Sequence, residues 1–331
     1  MQLVRQNEKM VTRVMAKRGR RSRAVLAALL VAAVGSACGV ETGESAKSPP
    51  AKGAAGQQSH TAAEGRPGQQ VAGKHQPGSA GARAEYAENV RRTQAARAIA
   101  AKKWGLAATP LAAPPPPAVK PRITTRQGFE VEGGDELPPI FTTVPVKDKV
   151  VFLTMDDGAE KDPELLRMMS ELKIPYSAFL SDYVTKDNYG YFKQMQDRGV
   201  SLHNHTINHR YMPGLSYEEQ KREICEQQDN LEQRFGKRPP LFRPPYGNYN
   251  VDTLRAAKEC GVKAAPLWAS EAFPDHMEWR EWDEDLHSGD IILTHFRGPG
   301  DWNGTMPDMI RQVMKTITGR GYAVAKLEDY V

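Results

Sequence analysis

Two adjacent carboxylates close an aliphatic run in this chain, Leu153-Thr-Met-Asp156-Asp157-Gly158. The residues from Lys149 to Thr154 are mostly aliphatic and β-branched, the composition of a buried strand, and the run stops at the acids. One aspartate before a glycine is ordinary turn chemistry. Two side by side must share a proton, be solvated, or have a cation between them and other groups. The six residues alone fit a turn as well as a cation site.

Three downstream segments carry further candidate groups: His203 to His209, Arg243-Pro-Pro-Tyr-Gly247, and Ile292-Leu-Thr-His295. Of eight histidines only His60 and His75 precede the carboxylates, so the rest are available to a site. The pair His205-Thr-Ile-Asn-His209 has i, i+4 spacing, which on a helical turn sets two imidazoles on one face about 5–6 Å apart. Such a pair suits two positions on one divalent ion. Asp157 would complete a set of two imidazoles and one carboxylate, leaving positions open for water or substrate. Asp157 then ligates, and Asp156 stays free as a base.

These groups need a scaffold that brings strand ends together. Helices are expected at Pro163–Leu172 (capped by Asp162), Tyr189–Arg198, Tyr217–Phe235, Val251–Cys260, near Trp282 and at Met306–Gly319. Ser216 and Glu219 form a capping box before the longest of them. Strands are expected at Tyr176–Leu180, Val200–His203, Leu241–Arg243, Val262–Trp268, Ile291–His295 and Tyr322–Lys326. Regular alternation predicts an α/β fold with a parallel sheet, open or closed into a barrel, whose sites lie at the carboxyl ends of strands.

The chain before residue 149 reads differently. Through Asp148 there are 22 basic and 11 acidic side chains; of the total 45 and 40, this leaves 23 and 29 beyond it. The basic pI belongs to the first half, and no basic patch interleaved with aromatics follows, which argues against nucleic-acid binding. Residues 1–38 read as an export signal: Arg13 to Arg23 is basic, Ala24–Val34 is apolar, and small residues lead to Cys38. Gly35-Ser-Ala-Cys38 resembles a bacterial lipobox, with Gly35 in place of the usual aliphatic; a cleaved secretory signal is the alternative. Residues 39–120, rich in Ala, Gly, Pro and Lys, are expected to be a disordered tether, with the Ala- and Arg-rich piece Ala82–Trp104 transiently helical. Residues 121–148 lead into a domain spanning 149–331. With Cys38 as the lipid anchor, Cys225 and Cys260 are expected to be free buried thiols, with a disulfide between them as the alternative.

Thr154-Met-Asp-Asp-Gly158, His205-Thr-Ile-Asn-His209, Arg243-Pro-Pro-Tyr-Gly247 and Leu293-Thr-His295 together resemble the motifs of the polysaccharide deacetylase family, the NodB-homology domain of carbohydrate esterase family four. The resemblance implies a distorted (β/α) barrel of about seven strands and a metal-dependent hydrolase. It implies that Asp157, His205 and His209 hold Zn²⁺, or Co²⁺ or a similar ion, that Asp156 is the general base and His295 the general acid. It further implies that Arg243 pairs with the base, and that the Pro244–Tyr246 turn offers the Tyr246 backbone N–H to an oxyanion. The family's fourth motif corresponds to Leu267-Trp-Ala-Ser-Glu271-Ala-Phe-Pro-Asp275, which departs from its pattern. Trp268 matches its start; either Glu271 or Asp275 substitutes as the tether on Arg243, or that tether is missing. Trp268, Phe273, Trp279, Trp282 and Trp302 are candidates for a sugar-stacking groove.

The implied substrate is an acetylated polysaccharide. Peptidoglycan N-acetylglucosamine comes first, ahead of N-acetylmuramic acid, chitin oligomers and acetylated xylan. The expected protein is a monomer anchored to a membrane and facing the wall. A glycan-binding surface module without turnover and an amidase on a small amide are the competing classes.

Overall fold

Strand β2, Val150–Asp157, is buried along its whole length and organises a computed structural model that describes residues 80–331. The expected export signal, Cys38 and the first part of the tether lie outside the described residues. Alternate residues of β2 face opposite ways. Val151, Leu153 and Met155 pack with the surrounding helices, while Val150 and Phe152 join the other core cluster. Thr154 and Asp156 continue that inner row, so the strand's own period points Asp156 inward.

Three strands pair with β2, all parallel: β3 (Ser177–Leu180) along its upper half, β9 (Ala323–Ala325) along its lower half, and β8 (Ile291–His295) on its other edge. Strand β4 (Ser201–Asn204) pairs with β3. The ring continues through single bridges, Asn204 with Phe242 and Leu241 with Ala264. It then passes to β5 (Ala265–Pro266) on β1 (Ile140–Phe141), and the Ile291 N–H returns it to β8 by donating to the Thr142 carbonyl at 3.1 Å. The barrel is therefore distorted, as expected, with one wall reduced to brief pairings. Proline supplies the reason: Pro239, Pro240, Pro244, Pro245 and Pro266 bring no N–H to a ladder, so the expected strand Val262–Trp268 contracts to two residues.

The helices keep close to their expected bounds. Asp162 accepts from the Glu164 N–H at 2.7 Å to cap α2 (Pro163–Leu172), and the Ser216/Glu219 box caps α4 (Tyr217–Phe235). Helices α3 (Tyr189–Asp197), α5 (Val251–Glu259) and α6 (Met306–Gly319) complete the layer around the strands.

Four expectations change. The tether is not disordered through residue 120: α1, Ala80–Trp104, packs on α2, and Arg97 donates to the carbonyls of Leu172 (3.1 Å), Lys173 (2.7 Å) and Leu111 (3.3 Å). A guanidinium satisfying the last carbonyls of a helix is a strong local anchor, which composition alone does not register. Cys225 and Cys260 are not free thiols. They form a disulfide with Cα atoms 5.0 Å apart, because α4 and α5 lie side by side. No helix forms near Trp282; an antiparallel hairpin of β6 (Ser270–Ala272) and β7 (Met277–Trp279) precedes it. The fourth change, in the His205–His209 segment, belongs to the site. Among the described residues no helix is long and apolar enough to cross a membrane.

Candidate active site

The carboxyl ends of β2, β4 and β8 bring together the groups the motifs singled out. Asp157 ends β2 with φ 79°, a left-handed conformation that breaks the strand's alternation and lets its side chain meet the histidines. Its Oδ1 lies 3.3 Å from His209 Nε2 and 3.6 Å from His205 Nε2, and these two nitrogens are 3.2 Å apart. Oδ1 is buried without a hydrogen-bond partner.

The His205–His209 segment is a loop rather than a helical turn. Thr206 and His209 both have positive φ, 69° and 52°. Thr206 Oγ1 accepts from the His209 N–H at 3.0 Å, and Asn204 Oδ1 accepts from the Thr206 N–H at 2.8 Å. Glu223, buried on α4, holds the loop from outside by accepting from Asn208 N (2.8 Å) and Asn208 Nδ2 (2.9 Å). The i, i+4 spacing brings the imidazoles together as expected, by a different backbone path.

His205 Nδ1 lies 2.7 Å from the Arg243 carbonyl, an acceptor only, so Nδ1 carries the hydrogen and Nε2 presents its lone pair. Burial pushes both His205 and His209 down to about 4, which keeps them neutral near pH 7. Burial opposes ionisation of Asp157, but His209, His295, His205 and Arg297 around it prevail and hold it well below the usual carboxylate range. Two neutral imidazoles, one ionised carboxylate and an unpartnered buried oxygen fit a divalent cation. The three ligand atoms lie within 4.8 Å of one another, the only such group among the described residues.

Asp156 shares the neighbourhood of His205 but is bound to Arg243. Its Oδ1 is 2.7 Å from Arg243 Nη1, and its Oδ2 is 3.6 Å from His205 Nε2. Burial pushes its carboxyl up to about 6, against the lowering pull of Arg243 and His295. Arg243 is fully buried and uses four of its five N–H donors: besides the Asp156 bond, Nε donates to the Pro266 carbonyl (2.8 Å), Nη1 also to Thr154 Oγ1 (2.9 Å), and Nη2 to the Leu267 carbonyl (3.2 Å). Its guanidinium also lies 4.3 Å from the Phe179 ring centre.

Of the alternatives for Arg243, neither acid of the fourth motif serves as its tether. Glu271 does not bond it; Glu271 Oε1 lies 3.2 Å from His295 Nδ1. Asp275 is exposed and pairs with His276 at 2.6 Å. Carbonyls and a threonine hold Arg243 instead, a task that leaves no signature in side-chain types. Burial pulls His295 down, but the bond and charge of Glu271 win, and its imidazole titrates above the ordinary range.

The remaining candidates divide. Tyr246 has φ 62°, and its ring centre is 4.7 Å from that of His209, so the Pro244–Tyr246 turn does border the site. Trp268 is buried, not a platform for sugars. Its ring packs so closely on Gly247 (φ 68°) that a Cβ there would sit 2.9 Å from it, and the Arg280 guanidinium stacks at 4.3 Å. Trp279 packs on the core, whereas Phe273 and Trp302 contact each other at 6.1 Å beyond the end of β6. Trp282 is exposed. His203 lies apart from the site and pairs with Glu328 at 2.6 Å.

Sequence reasoning missed Arg297, whose Nη2 lies 3.0 Å from Asp157 Oδ2. Its position two residues after His295 was the available signal.

Comparison with known proteins agrees with this geometry. The family described as polysaccharide deacetylase matches residues 143–265. An uncharacterized protein of Streptomyces coelicolor is 39% identical over 203 residues, covering 61% of this chain and 81% of that protein. A peptidoglycan-N-acetylglucosamine deacetylase of Bacillus cereus is 28% identical over 200 residues, covering 56% of this chain and 90% of the relative. Among solved structures, the Bc1960 peptidoglycan N-acetylglucosamine deacetylase is similar in fold, with a TM-score of 0.51 at 19% identity over 59% of this chain and 94% of that one.

Proposed function

This chain belongs to the polysaccharide deacetylase family, and from that premise we propose that it removes N-acetyl groups from the N-acetylglucosamine residues of peptidoglycan. The observation that carries the reading is the separation of the two adjacent carboxylates. Asp157 Oδ1 faces the Nε2 atoms of both imidazoles, while Asp156 is bound through Oδ1 to Arg243 and keeps Oδ2 3.6 Å from His205 Nε2. Zn²⁺ is the ion we propose for Asp157, His205 and His209, a set of nitrogen and oxygen donors typical of hydrolytic sites. When bound, such an ion supplies Lewis acidity, polarising the acetamide carbonyl and acidifying water.

The chain's own groups do the rest. Asp156, buried and held by Arg243, accepts a proton from the attacking water. Its pKa near 6 is high enough to make it a competent base and low enough to leave it ionised at neutral pH. His295, whose imidazole Glu271 makes harder to deprotonate, delivers a proton to the departing nitrogen, which leaves poorly as an anion. A binding module without turnover would require neither group. The Bacillus cereus relative supports N-acetylglucosamine as the substrate. The lipobox-like segment supports a lipoprotein facing the cell wall, to be checked by detergent partitioning of wild type against Cys38→Ala.

The test of activity is acetate release from peptidoglycan, chito-oligomers and acetylated xylan, with chelated protein and with added Zn²⁺ or Co²⁺. Release from peptidoglycan that needs the ion, and is abolished by Asp156→Asn and by His295→Ala, is the expected result. A protein that binds metal yet releases acetate from none of these would overturn the reading.

A further inference from the structure

Arg297 reaches the metal-ligand carboxylate from a loop that has no metal ligand of its own. Its Nη2 lies 3.0 Å from Asp157 Oδ2, the oxygen other than the one nearest His205 and His209. Oδ1, the other oxygen of the same carboxylate, is the one left without a hydrogen-bond partner. The two oxygens of Asp157 are thus divided, one toward the imidazoles and one toward a guanidinium.

The backbone makes this placement firm. The Phe296 N–H donates to the Asp156 carbonyl at 3.1 Å, the Glu160 N–H to the Phe296 carbonyl at 3.0 Å, and the Arg297 N–H to the His295 carbonyl at 3.1 Å. The loop after β8 is therefore tied to the end of β2 on both sides of the carboxylates. His295 and Arg297 ride on the same short stretch.

A carboxylate can bind a divalent ion through one oxygen or through both. Binding through both occupies an additional position, at the expense of water or substrate. We propose that Arg297 is a positioning residue that restricts Asp157 to one ligating oxygen and thereby keeps the ion's open positions for chemistry. The inference rests on the metal-site reading above and goes beyond it by assigning a role outside the ligand set. Removing the side chain has two consequences of the same sign: Oδ2 becomes free to ligate, and a cation leaves the vicinity of a divalent ion. Both tighten metal binding. An ordinary supporting contact behaves in the opposite sense, its loss weakening metal affinity roughly 10–100-fold.

The experiment measures Zn²⁺ and Co²⁺ affinity by competition with a chromogenic chelator in wild type, Arg297→Met, Arg297→Gln and Arg297→Lys, together with the visible absorption of each Co²⁺ form. The Met and Gln variants are expected to bind about tenfold more tightly, as removal of a unit charge a few ångströms from a divalent ion implies, with a weaker Co²⁺ band as coordination number rises, and to lose kcat at nearly unchanged KM. The Lys variant, retaining charge and donors, should stay near wild type. Unchanged or weaker affinity in both uncharged variants sinks the proposal, and thermal melts of each variant exclude misfolding as the cause. Failure of wild type itself to bind either ion would instead refute the metal-site reading.

Discussion

Glu271 and His295 stand on neighbouring strands, β6 and β8, and their side chains meet at 3.2 Å at the same end of the barrel. Glu271 is almost fully buried, so its carboxylate faces the imidazole with little competition from water. The departure in the fourth motif is thereby explained: the acid of that segment supports the proton donor, not the arginine.

A general acid works only while protonated, and activity is lost as pH rises through its pKa. Glu271 holds that pKa above the ordinary histidine range. Glu271→Gln should therefore shift the alkaline limb of the kcat profile to lower pH and reduce kcat at pH 8 by about 10–100-fold. Metal affinity should be unchanged. A pH–rate profile with the alkaline limb in its wild-type place would show that Glu271 has no part in setting the acid.

Arg243 is the interior counterpart of that contact. It makes four hydrogen bonds, to Asp156, Thr154 and two carbonyls, with no exposure to solvent. Arg243→Met leaves Asp156 as an unpaired buried carboxylate and should cost about 3–5 kcal/mol of stability. Arg243→Lys should not restore activity, because an ammonium lacks the planar fork that reaches these acceptors together. Urea unfolding and acetate release on the two variants check this; a Lys variant near wild-type activity would refute it.

How far the site was legible follows from what each residue has to do. The metal-ligand candidates and the proposed base and acid have chemical types that few other roles require, and they recur at strand ends, so Asp156, Asp157, His205, His209 and His295 could be singled out as candidates. The helices announced themselves by caps such as Asp162 and Ser216 and by apolar spacing. Supports held through backbone groups were invisible: the Pro266 and Leu267 carbonyls that hold Arg243 have no side-chain signature. The left-handed loop carrying His205 and His209 was hidden because i, i+4 spacing is also the period of a helix. The Cys225–Cys260 bridge depended on how α4 and α5 pack, which the two cysteines themselves do not encode.

Arg97 marks where composition misled most. It lies in an Ala-rich segment of low apolar content, yet it is buried and donates to three carbonyls. Trp104 Nε1 and Lys103 Nζ both reach Glu171 on α2, and Lys120 Nζ donates to the Val331 carbonyl at 2.6 Å. Residues 80–120 therefore strap the barrel. Arg97→Met should lower stability by about 2–4 kcal/mol, since bonds to a charged donor are lost and the buried Leu172 carbonyl is left bare. A chain beginning at 121 should be less stable than one beginning at 80. Thermal melts that coincide would return the strap to the status of a passive tether.

The last relationship ties acid tolerance to the C-terminus. Glu328 Oε1 lies 2.6 Å from His203 Nε2 and accepts from Ser177 Oγ at 2.6 Å, joining the terminal turn to β3 and β4. Burial alone would raise this carboxyl; the bonds from His203 and Ser177 overcome it and hold it at about 2. In the unfolded chain a glutamate titrates near ~4.3. A pKa depressed by folding contributes stability that is fully present above the unfolded value and is lost as pH falls through the folded one. The contribution, about 2–3 kcal/mol, should persist above about pH 5 and decline toward pH 2. Glu328→Gln removes the titrating group, so it should be less stable than wild type at pH 6 and should approach it as pH drops to 3. Urea unfolding at pH 6, 4 and 3 measures both curves, and a stability difference independent of pH would show that Glu328 is not ionised in the fold.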